Sequence, residues 1–186
     1  KRKDWNGLIS GFKASDLVFL DESGCNTDMT RRYAYSLGGS RAVDSAPLSK
    51  PKNTTILSSI QLDGTLRYTT FSGGTTVERF KRYLETDWLP HLNGNSVLIM
   101  DNMKSHHAKA VRNLLDSSGV RYIYLPPYSP DLNPVEKFWS KVKSFLRKFK
   151  ARTLDALPNA IQCAFQTVSP SDCSGWFHSC GYSPYF

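Results

Sequence analysis

The chain has 186 residues, enough for one domain with a substantial core, and its 24 Lys and Arg residues against 16 Asp and Glu residues give a net charge of +8. With 40% hydrophobic and 12% aromatic residues, the composition excludes a disordered tail and a fibrous repeat. The longest aliphatic or aromatic runs have four residues, which excludes a membrane-spanning helix, and the charged start without an apolar stretch behind it predicts no ordinary secretory signal.

Hydrophobic periodicity predicts a mixture of strands and helices. Strands are predicted at residues 17–20, 54–62, 65–71, 96–100 and 122–125, and the dipeptide Asp63-Gly64 predicts a hairpin turn between the second and the third. Helices are predicted at 76–84, at 107–115, from Asn133-Pro134 to Phe149 and at roughly 154–168. Residues 23–53 are expected to form a long excursion with at most a short strand around 33–35, and the chain beyond 168 is expected to be irregular. This order favours an α/β fold, a mixed sheet flanked by helices.

The cysteines indicate a reducing compartment. Cys25, Cys163, Cys173 and Cys180 are irregularly spaced in a chain too large to depend on disulfides. We therefore expect reduced thiols in a cytosolic protein. A zinc site formed by Cys163, Cys173, His178 and Cys180 is the alternative, although no C-x-x-C pair is present.

The positive charge is concentrated near one predicted helix. Between Lys137 and Leu154 the chain has seven basic residues and no acidic one. The seven are Lys137, Lys141, Lys143, Arg147, Lys148, Lys150 and Arg152. Because phosphate backbones are bound mainly through Lys and Arg, nucleic acid is the natural partner for this run.

Two predicted strands end in an acidic residue. The apolar run at 17–20 continues into Asp21 and Glu22, and the run at 97–100 continues into Asp101. If these strands are parallel neighbours, Asp21 and Asp101 lie close together and repel, and a divalent cation relieves that repulsion. Oxygen-only ligands select a hard ion such as Mg²⁺ or Mn²⁺. The alternative is that each Asp caps a loop or pairs with a Lys.

Glu136 is the third candidate acid. It occupies the third position after Asn133 in the first turn of the helix, where a capping-box Glu is also common. Its helical face continues through Ser140 to Lys143 and Arg147. One acid followed by bases suits a metal site with a phosphate backbone beside it.

Three segments of the chain closely resemble bacterial insertion-sequence transposases of the mariner superfamily. They are FLDESG at 19–24, IMDN at 99–102 and LPPYSPDLNPVE at 125–136, and GWFHSCGY at 175–182 is similar to the end of such proteins. The acids are also spaced as in one branch of these DDE transposases, because 34 residues separate Asp101 from Glu136. Between Asp21 and Asp101 there are 79 residues.

The resemblance implies a ribonuclease H-like fold with an Asp, Asp, Glu triad at Asp21, Asp101 and Glu136. In that triad Asp21 bridges two Mg²⁺ ions, with Mn²⁺ as a substitute, while Asp101 and Glu136 each hold one. It also implies cut-and-paste DNA transposition: cleavage at transposon ends and strand transfer into target DNA at TA dinucleotides. The implied partners are double-stranded transposon and target DNA and a second subunit in a homodimer, in the bacterial cytoplasm at the nucleoid.

The chain differs from the family's pattern at its start. Family members carry paired helix-turn-helix modules before the catalytic domain, but about twenty residues precede Asp21 here, too few for one such module. We therefore expect residues 1–186 to be a single catalytic domain without that DNA-binding region. Residues 23–53 are expected to be a long inserted loop that, as in relatives, grips the partner subunit or DNA, with a simple flexible loop as the alternative.

Several residues near the triad are candidates for DNA contact. They are Arg31, Arg32, Asn102, Lys104, His106, Lys143 and Arg147. Glu22 is a less suitable ligand than Asp21 because strand alternation directs its side chain to the opposite face.

Two other functions remain open. The first is a nuclease of the same fold that hydrolyses DNA or hybrids without joining ends. The second is a non-catalytic DNA-binding or assembly module whose acidic residues no longer bind metal.

Overall fold

The computed structural model describes residues 2–31, 33–48 and 51–182. Within these ranges five strands form one sheet in the order β3-β2-β1-β4-β5. The strands are β1 (Leu17–Cys25), β2 (Thr54–Gln61), β3 (Leu66–Ser72), β4 (Val97–Met100) and β5 (Arg121–Tyr124). β1 pairs with β2, and β2 with β3, in antiparallel fashion, whereas β1–β4 and β4–β5 are parallel pairs. This is the mixed sheet that the sequence predicts.

Strand alternation in β1 and β4 divides the core into two clusters. Leu17 and Phe19 belong to one cluster, and Val18 and Leu20 belong to the other. Both faces of these central strands are fully covered, which explains why they are apolar at every position. Because side chains alternate along a strand, Asp21 continues the face of Phe19, and Glu22 continues the face of Leu20.

Helices cover both faces of the sheet. They are α1 (Arg2–Ile9), α2 (Val77–Tyr83), α3 (Lys109–Ser118), α4 (Pro134–Phe149), α5 (Leu157–Gln166) and α6 (Pro170–Ser179). α4 packs against β1, α5 and α6 on the face of Phe19, whereas α2 and α3 contribute to the cluster on the face of Leu20. Within the described residues, no helix is both long enough and apolar enough to cross a membrane.

The predicted strands, the Asp63-Gly64 hairpin and the four predicted helices are confirmed, but the prediction for the end of the chain is wrong. α1 was not predicted; its Trp5 is buried and donates a hydrogen bond from Nε1 to the Tyr182 hydroxyl over 3.0 Å. Residues beyond 168 form α6 rather than irregular chain. Ser169 and Asp172 start α6 with a capping box.

The excursion also differs from its predicted bounds. Residues 23–25 belong to β1, and the described part of 26–53 contains neither a helix nor a strand, including at 33–35. Arg152, shortly after α4, contacts this segment near its start and again at Ser45. Its guanidinium donates to the carbonyl oxygens of Thr27 and Met29, each over 3.0 Å, and of Ser45 over 2.9 Å.

Candidate active site

Asp21 and Asp101 lie side by side at the carboxyl ends of two parallel strands. Leu20 of β1 is in register with Met100 of β4, so the next residue of each strand is an acid. Phe19 and Ile99 belong to the same core cluster, which places both acids on the face of the sheet covered by α4. The parallel neighbours on which the sequence prediction depended are therefore present.

The environment of Asp21 strongly favours its neutral form. Its side chain is buried in the absence of a cation, and burial, followed by the negative charges of Asp101, Glu22 and Glu136, raises its pKa from 3.8 to about 7. The Glu22 N–H donates to Asp21 Oδ1 over 2.8 Å and acts in the opposite direction. A positive charge placed beside this carboxyl group would favour its ionised form.

Asn133 joins the start of α4 to Asp21. Its Oδ1 accepts a hydrogen bond from the Val135 N–H over 3.3 Å, which caps the helix, and its Nδ2 lies 3.5 Å from Asp21 Oδ2. The cap was predicted from the sequence, but the second contact was not. The signal was available, because Asn133 lies three residues before the third acid and caps with one end of an amide whose other end is free to donate.

Glu136 completes the acidic group. The Asn133 N–H donates to the Pro130 carbonyl, so the capping box that was an alternative role for Glu136 is not formed. Glu136 is exposed and lines a cavity of about 450 Å³ together with Asp21 and Asp101. The remaining lining residues are Asn102, Met103, Leu125, Pro126, Pro127, Tyr128, Ser129, Pro130 and Asn133.

Behind this cavity a fully buried histidine bridges two acids. His106 Nδ1 lies 2.8 Å from Asp101 Oδ1, and His106 Nε2 lies 3.2 Å from both carboxylate oxygens of Glu22. Burial lowers the pKa of His106, but hydrogen bonds with Asp101 and Glu22 outweigh it and raise the pKa to about 9. Burial acts to raise the pKa of Asp101, but hydrogen bonds from His106 and the Met103 N–H lower it below the usual value.

These contacts confirm one expectation and correct another. Glu22 does point away from Asp21, as strand alternation predicted. His106, however, is completely buried, so the expectation that it contacts DNA directly is wrong. Asn102 lines the cavity, but its side chain also donates to the Leu125 carbonyl and contacts His107.

The other predicted DNA contacts lie in three places. Lys104 and Arg31 are exposed, the latter in the segment 26–53. Lys143 and Arg147 are half-buried on α4. Arg32 lies outside the described residues.

Three members of the basic run are bound within the protein itself. Lys141 forms an ion pair with Asp172 at the start of α6, and Lys150 forms one with Asp44. Arg152 binds backbone carbonyls of the segment 26–53, as described above. The members that remain as candidates for phosphate contact are Lys137, Lys143, Arg147 and Lys148.

The donor chemistry of the cavity fits a hard divalent cation. Asp21, Asp101 and Glu136 offer carboxylate oxygens, and the negative charges of Asp101 and Glu136 add to burial in raising the pKa of Asp21. Among residues 2–31, 33–48 and 51–182, no three His, Cys, Asp or Glu side chains are close enough to coordinate a single ion. Coordination therefore requires these carboxylates to approach one another further. The same result removes the alternative zinc site within the described residues, and the four cysteines are free thiols.

Comparisons with solved structures identify similar folds. A pre-cleavage Mos1 transpososome matches with a TM-score of 0.74 and 17% identity over 98% of this chain and 60% of that one. The Mos1 mariner paired-end complex with Mn matches with a TM-score of 0.72 and 19% identity over 90% of this chain and 53% of that one. The catalytic domain of Mos1 mariner transposase matches with a TM-score of 0.68 and 17% identity over 95% and 81% of the two chains.

This chain thus spans little more than half of the longer Mos1 chains, and the fold it shares with them is the ribonuclease H-like fold predicted from the sequence. No significant match was found among curated protein sequences. A family model described as DDE superfamily endonuclease matches residues 16–158, which include Asp21, Asp101 and Glu136. Because this match covers most of the chain, the protein belongs to the DDE superfamily endonuclease family.

Proposed function

We propose that this chain is the catalytic domain of a cut-and-paste DNA transposase that cleaves transposon ends and joins them to TA-containing target DNA. The observation that carries the proposal is the convergence of Asp21, Asp101 and Glu136, from β1, β4 and α4, on one open cavity. Membership of the DDE endonuclease family and the fold shared with Mos1 complexes support it. The choice of TA target sites and of double-stranded transposon ends as substrates comes from the resemblance of the sequence to mariner-superfamily transposases.

The acids of the cavity would hold two Mg²⁺ ions, with Mn²⁺ as a substitute. Asp21, Asp101 and Glu136 would supply the carboxylate oxygens that hold them. Such ions, when bound, activate the attacking oxygen and stabilise the departing one in phosphoryl transfer. Mos1 structures have been solved with Mg and with Mn, which supports the choice of ion.

The protein's own groups then have defined tasks. Asp21 would bind a cation as its ionised carboxylate, and Asn133, whose Nδ2 lies 3.5 Å from Asp21 Oδ2, would orient that oxygen. Asp101, whose pKa is lowered, is already ionised. The exposed Glu136 closes the cavity from α4, and the basic residues further along that helix lie where a phosphate backbone can follow.

The segment 26–53 is proposed to be the part that grips a partner subunit or DNA, with a homodimer as the active species. It is exposed over most of its described length and includes large side chains such as Tyr33, Tyr35 and Leu37. Residues 1–186 would then act as one catalytic domain, and the bacterial nucleoid would be its place of action.

The test is joining of a labelled transposon end to plasmid DNA by the parent protein, with and without Mg²⁺. We expect metal-dependent cleavage and joining, and a loss of at least a hundredfold with Asp101→Asn or Glu136→Gln. Glu78→Gln, an exposed acid in the first turn of α2, is the matched control and should retain activity. Near-normal activity in either triad variant would contradict the assignment.

The same assay separates the alternatives. A nuclease that only hydrolyses would cut the labelled substrate but would not join precleaved ends. A non-catalytic binding module would act equally well in EDTA.

A further inference from the structure

His106 is held between two carboxylates that belong to opposite faces of β1 and β4. Its Nδ1 lies 2.8 Å from Asp101 Oδ1, and its Nε2 lies 3.2 Å from Glu22 Oε1. Each ring nitrogen therefore lies within hydrogen-bond distance of a different carboxylate. The imidazole therefore links Asp101, which lines the cavity, to Glu22 on the opposite face of the sheet.

The ring is also fixed by groups that have no part in the cavity. It stacks on Phe80 of α2 with ring centroids 4.2 Å apart and an interplanar angle of 28°. The Tyr124 hydroxyl donates to the His106 carbonyl oxygen over 2.9 Å. The side chain is completely buried, so the stacking on Phe80 and the contact with Glu22 restrict the ring, while Tyr124 holds the backbone of His106.

This arrangement determines which oxygen of Asp101 is available. His106 Nδ1 and the Met103 N–H, at 2.8 and 2.9 Å, both donate to Oδ1. Two donors on one oxygen fix the rotation of the carboxylate and leave Oδ2 for a ligand in the cavity. Glu22 acts one step further away, because it holds the opposite nitrogen of the ring.

We propose that His106 is a positioning residue, which fixes the Asp101 carboxylate for metal binding, and that Glu22 orients His106 for this task. The proposal rests on the proposed function in one respect, since it takes Asp101 to be a metal ligand. Its basis is the geometry: the buried imidazole lies between the carboxylates of Asp101 and Glu22, within hydrogen-bond distance of both, and stacks on Phe80. Loss of a group that orients a metal ligand commonly weakens metal binding 10–100-fold.

Two substitutions separate the two ends of the ring. In His106→Asn the amide nitrogen replaces Nδ1 and can still donate to Asp101, whereas in His106→Gln it replaces Nε2 and reaches Glu22 instead. Mn²⁺ affinity is measured on the 186-residue chain by electron paramagnetic resonance titration, with the melting temperature recorded for each variant. We expect His106→Gln to weaken Mn²⁺ binding about 10–100-fold and His106→Asn to recover most of the loss at a similar melting temperature.

A purely structural role predicts a different result. The two variants would then lose affinity equally, in proportion to their loss of stability, and that outcome would overturn the proposal. Unchanged affinity in His106→Gln would overturn it too.

His106 is buried, so substitutions there can prevent folding. A second measurement therefore uses the unaltered chain. Histidine ring resonances are followed by nitrogen-15 NMR during an Mg²⁺ titration. The His106 ring signals should shift with the midpoint of Mg²⁺ binding, while those of the exposed His178 on α6 stay constant. A His106 ring that does not respond to Mg²⁺ contradicts the proposal.

Asp101→Asn distinguishes this inference from the proposed function. If Asp101→Asn binds Mn²⁺ as well as the unaltered chain does, the metal assignment fails and the positioning role fails with it. If Asp101→Asn loses Mn²⁺ and His106→Gln does not, the proposed function stands and only the positioning role is wrong.

Discussion

The side-chain amide of Asn133 lies 3.5 Å from Asp21 Oδ2, although the two residues are 112 positions apart. The same side chain caps α4 through the Val135 N–H. The helix that carries Glu136 and the strand that carries Asp21 are therefore joined by one residue. A change in how α4 begins is also a change in the surroundings of Asp21.

Asn133 therefore has two functions that substitution can separate. Asn133→Ser keeps a capping oxygen but is too short to reach Asp21, whereas Asn133→Ala removes both contacts. We expect Asn133→Ala to lower the free energy of unfolding by about 1 kcal/mol and Asn133→Ser to lower it much less. DNA cleavage should fall in both variants. Urea unfolding and cleavage rates measured together check this, and normal cleavage in Asn133→Ser would show that the Asp21 contact is unimportant.

Asp21 should destabilise the metal-free protein at neutral pH. Its pKa is raised from 3.8 to about 7 on folding, so the folded state holds a proton that the unfolded state releases. The resulting stability is fully present below pH 4 and is lost as pH rises through 7. A shift of this size corresponds to about 4 kcal/mol.

Asp21→Asn removes this dependence, so the variant should unfold at a higher urea concentration than the unaltered chain at pH 8 in EDTA. Addition of Mg²⁺ should stabilise the unaltered chain and leave Asp21→Asn unchanged. Equal stability of the two proteins at pH 8 in EDTA would contradict a raised pKa of Asp21 in the folded state.

The cations of α4 should contribute unequally to DNA binding. Lys143 and Arg147 share the helical face of Glu136, while Lys141 is paired with Asp172. We expect Lys143→Ala and Arg147→Ala each to reduce by about 1 the slope of log affinity against log salt concentration. Lys141→Ala removes the same charge and is the matched control, which should leave the slope nearly unchanged. Fluorescence anisotropy with labelled duplex DNA at several salt concentrations measures these slopes; a uniform effect of all three would indicate a diffuse basic surface.

Ser169 should matter for stability and not for chemistry. Its hydroxyl accepts from the Asp172 N–H over 3.1 Å, and its own N–H donates to Asp172 Oδ2 over 2.8 Å. Ser169→Ala is expected to lower the free energy of unfolding by about 1 kcal/mol. Ser171→Ala, an exposed position in the same helix, should have almost no effect. Thermal unfolding compares the two, and equal melting temperatures would show that the capping box adds nothing.

The central part of the fold was predictable because its local and tertiary signals agree. The apolar runs before Asp21 and Asp101 are covered on both faces, and each is followed by the acid that the sheet edge exposes to the cavity. The Asp63-Gly64 turn and the Asn133-Pro134 helix start depend on backbone preferences that act locally. The ends of the chain were less predictable. α1 is held by the contact of Trp5 with Tyr182, 177 positions away, which no local pattern reveals.

The candidate site was predictable in its acids and not in the groups behind them. Asp21 and Asp101 are recognisable because each follows an apolar strand, whereas His106 lies in a polar stretch and resembles a surface residue. Its burial arises from Phe80 and Glu22, which come from distant parts of the chain. The charge of the basic run was likewise evident, but the internal pairing of Lys141, Lys150 and Arg152 depends on tertiary neighbours.

The contacts of Arg152 bear on which part of the chain can change in length. One guanidinium, that of Arg152 shortly after α4, holds the segment 26–53 near its start, at Thr27 and Met29, and again at Ser45. The closure entropy of a longer loop grows slowly with its length. We therefore expect the folded scaffold to tolerate insertions and deletions between Met29 and Ser45.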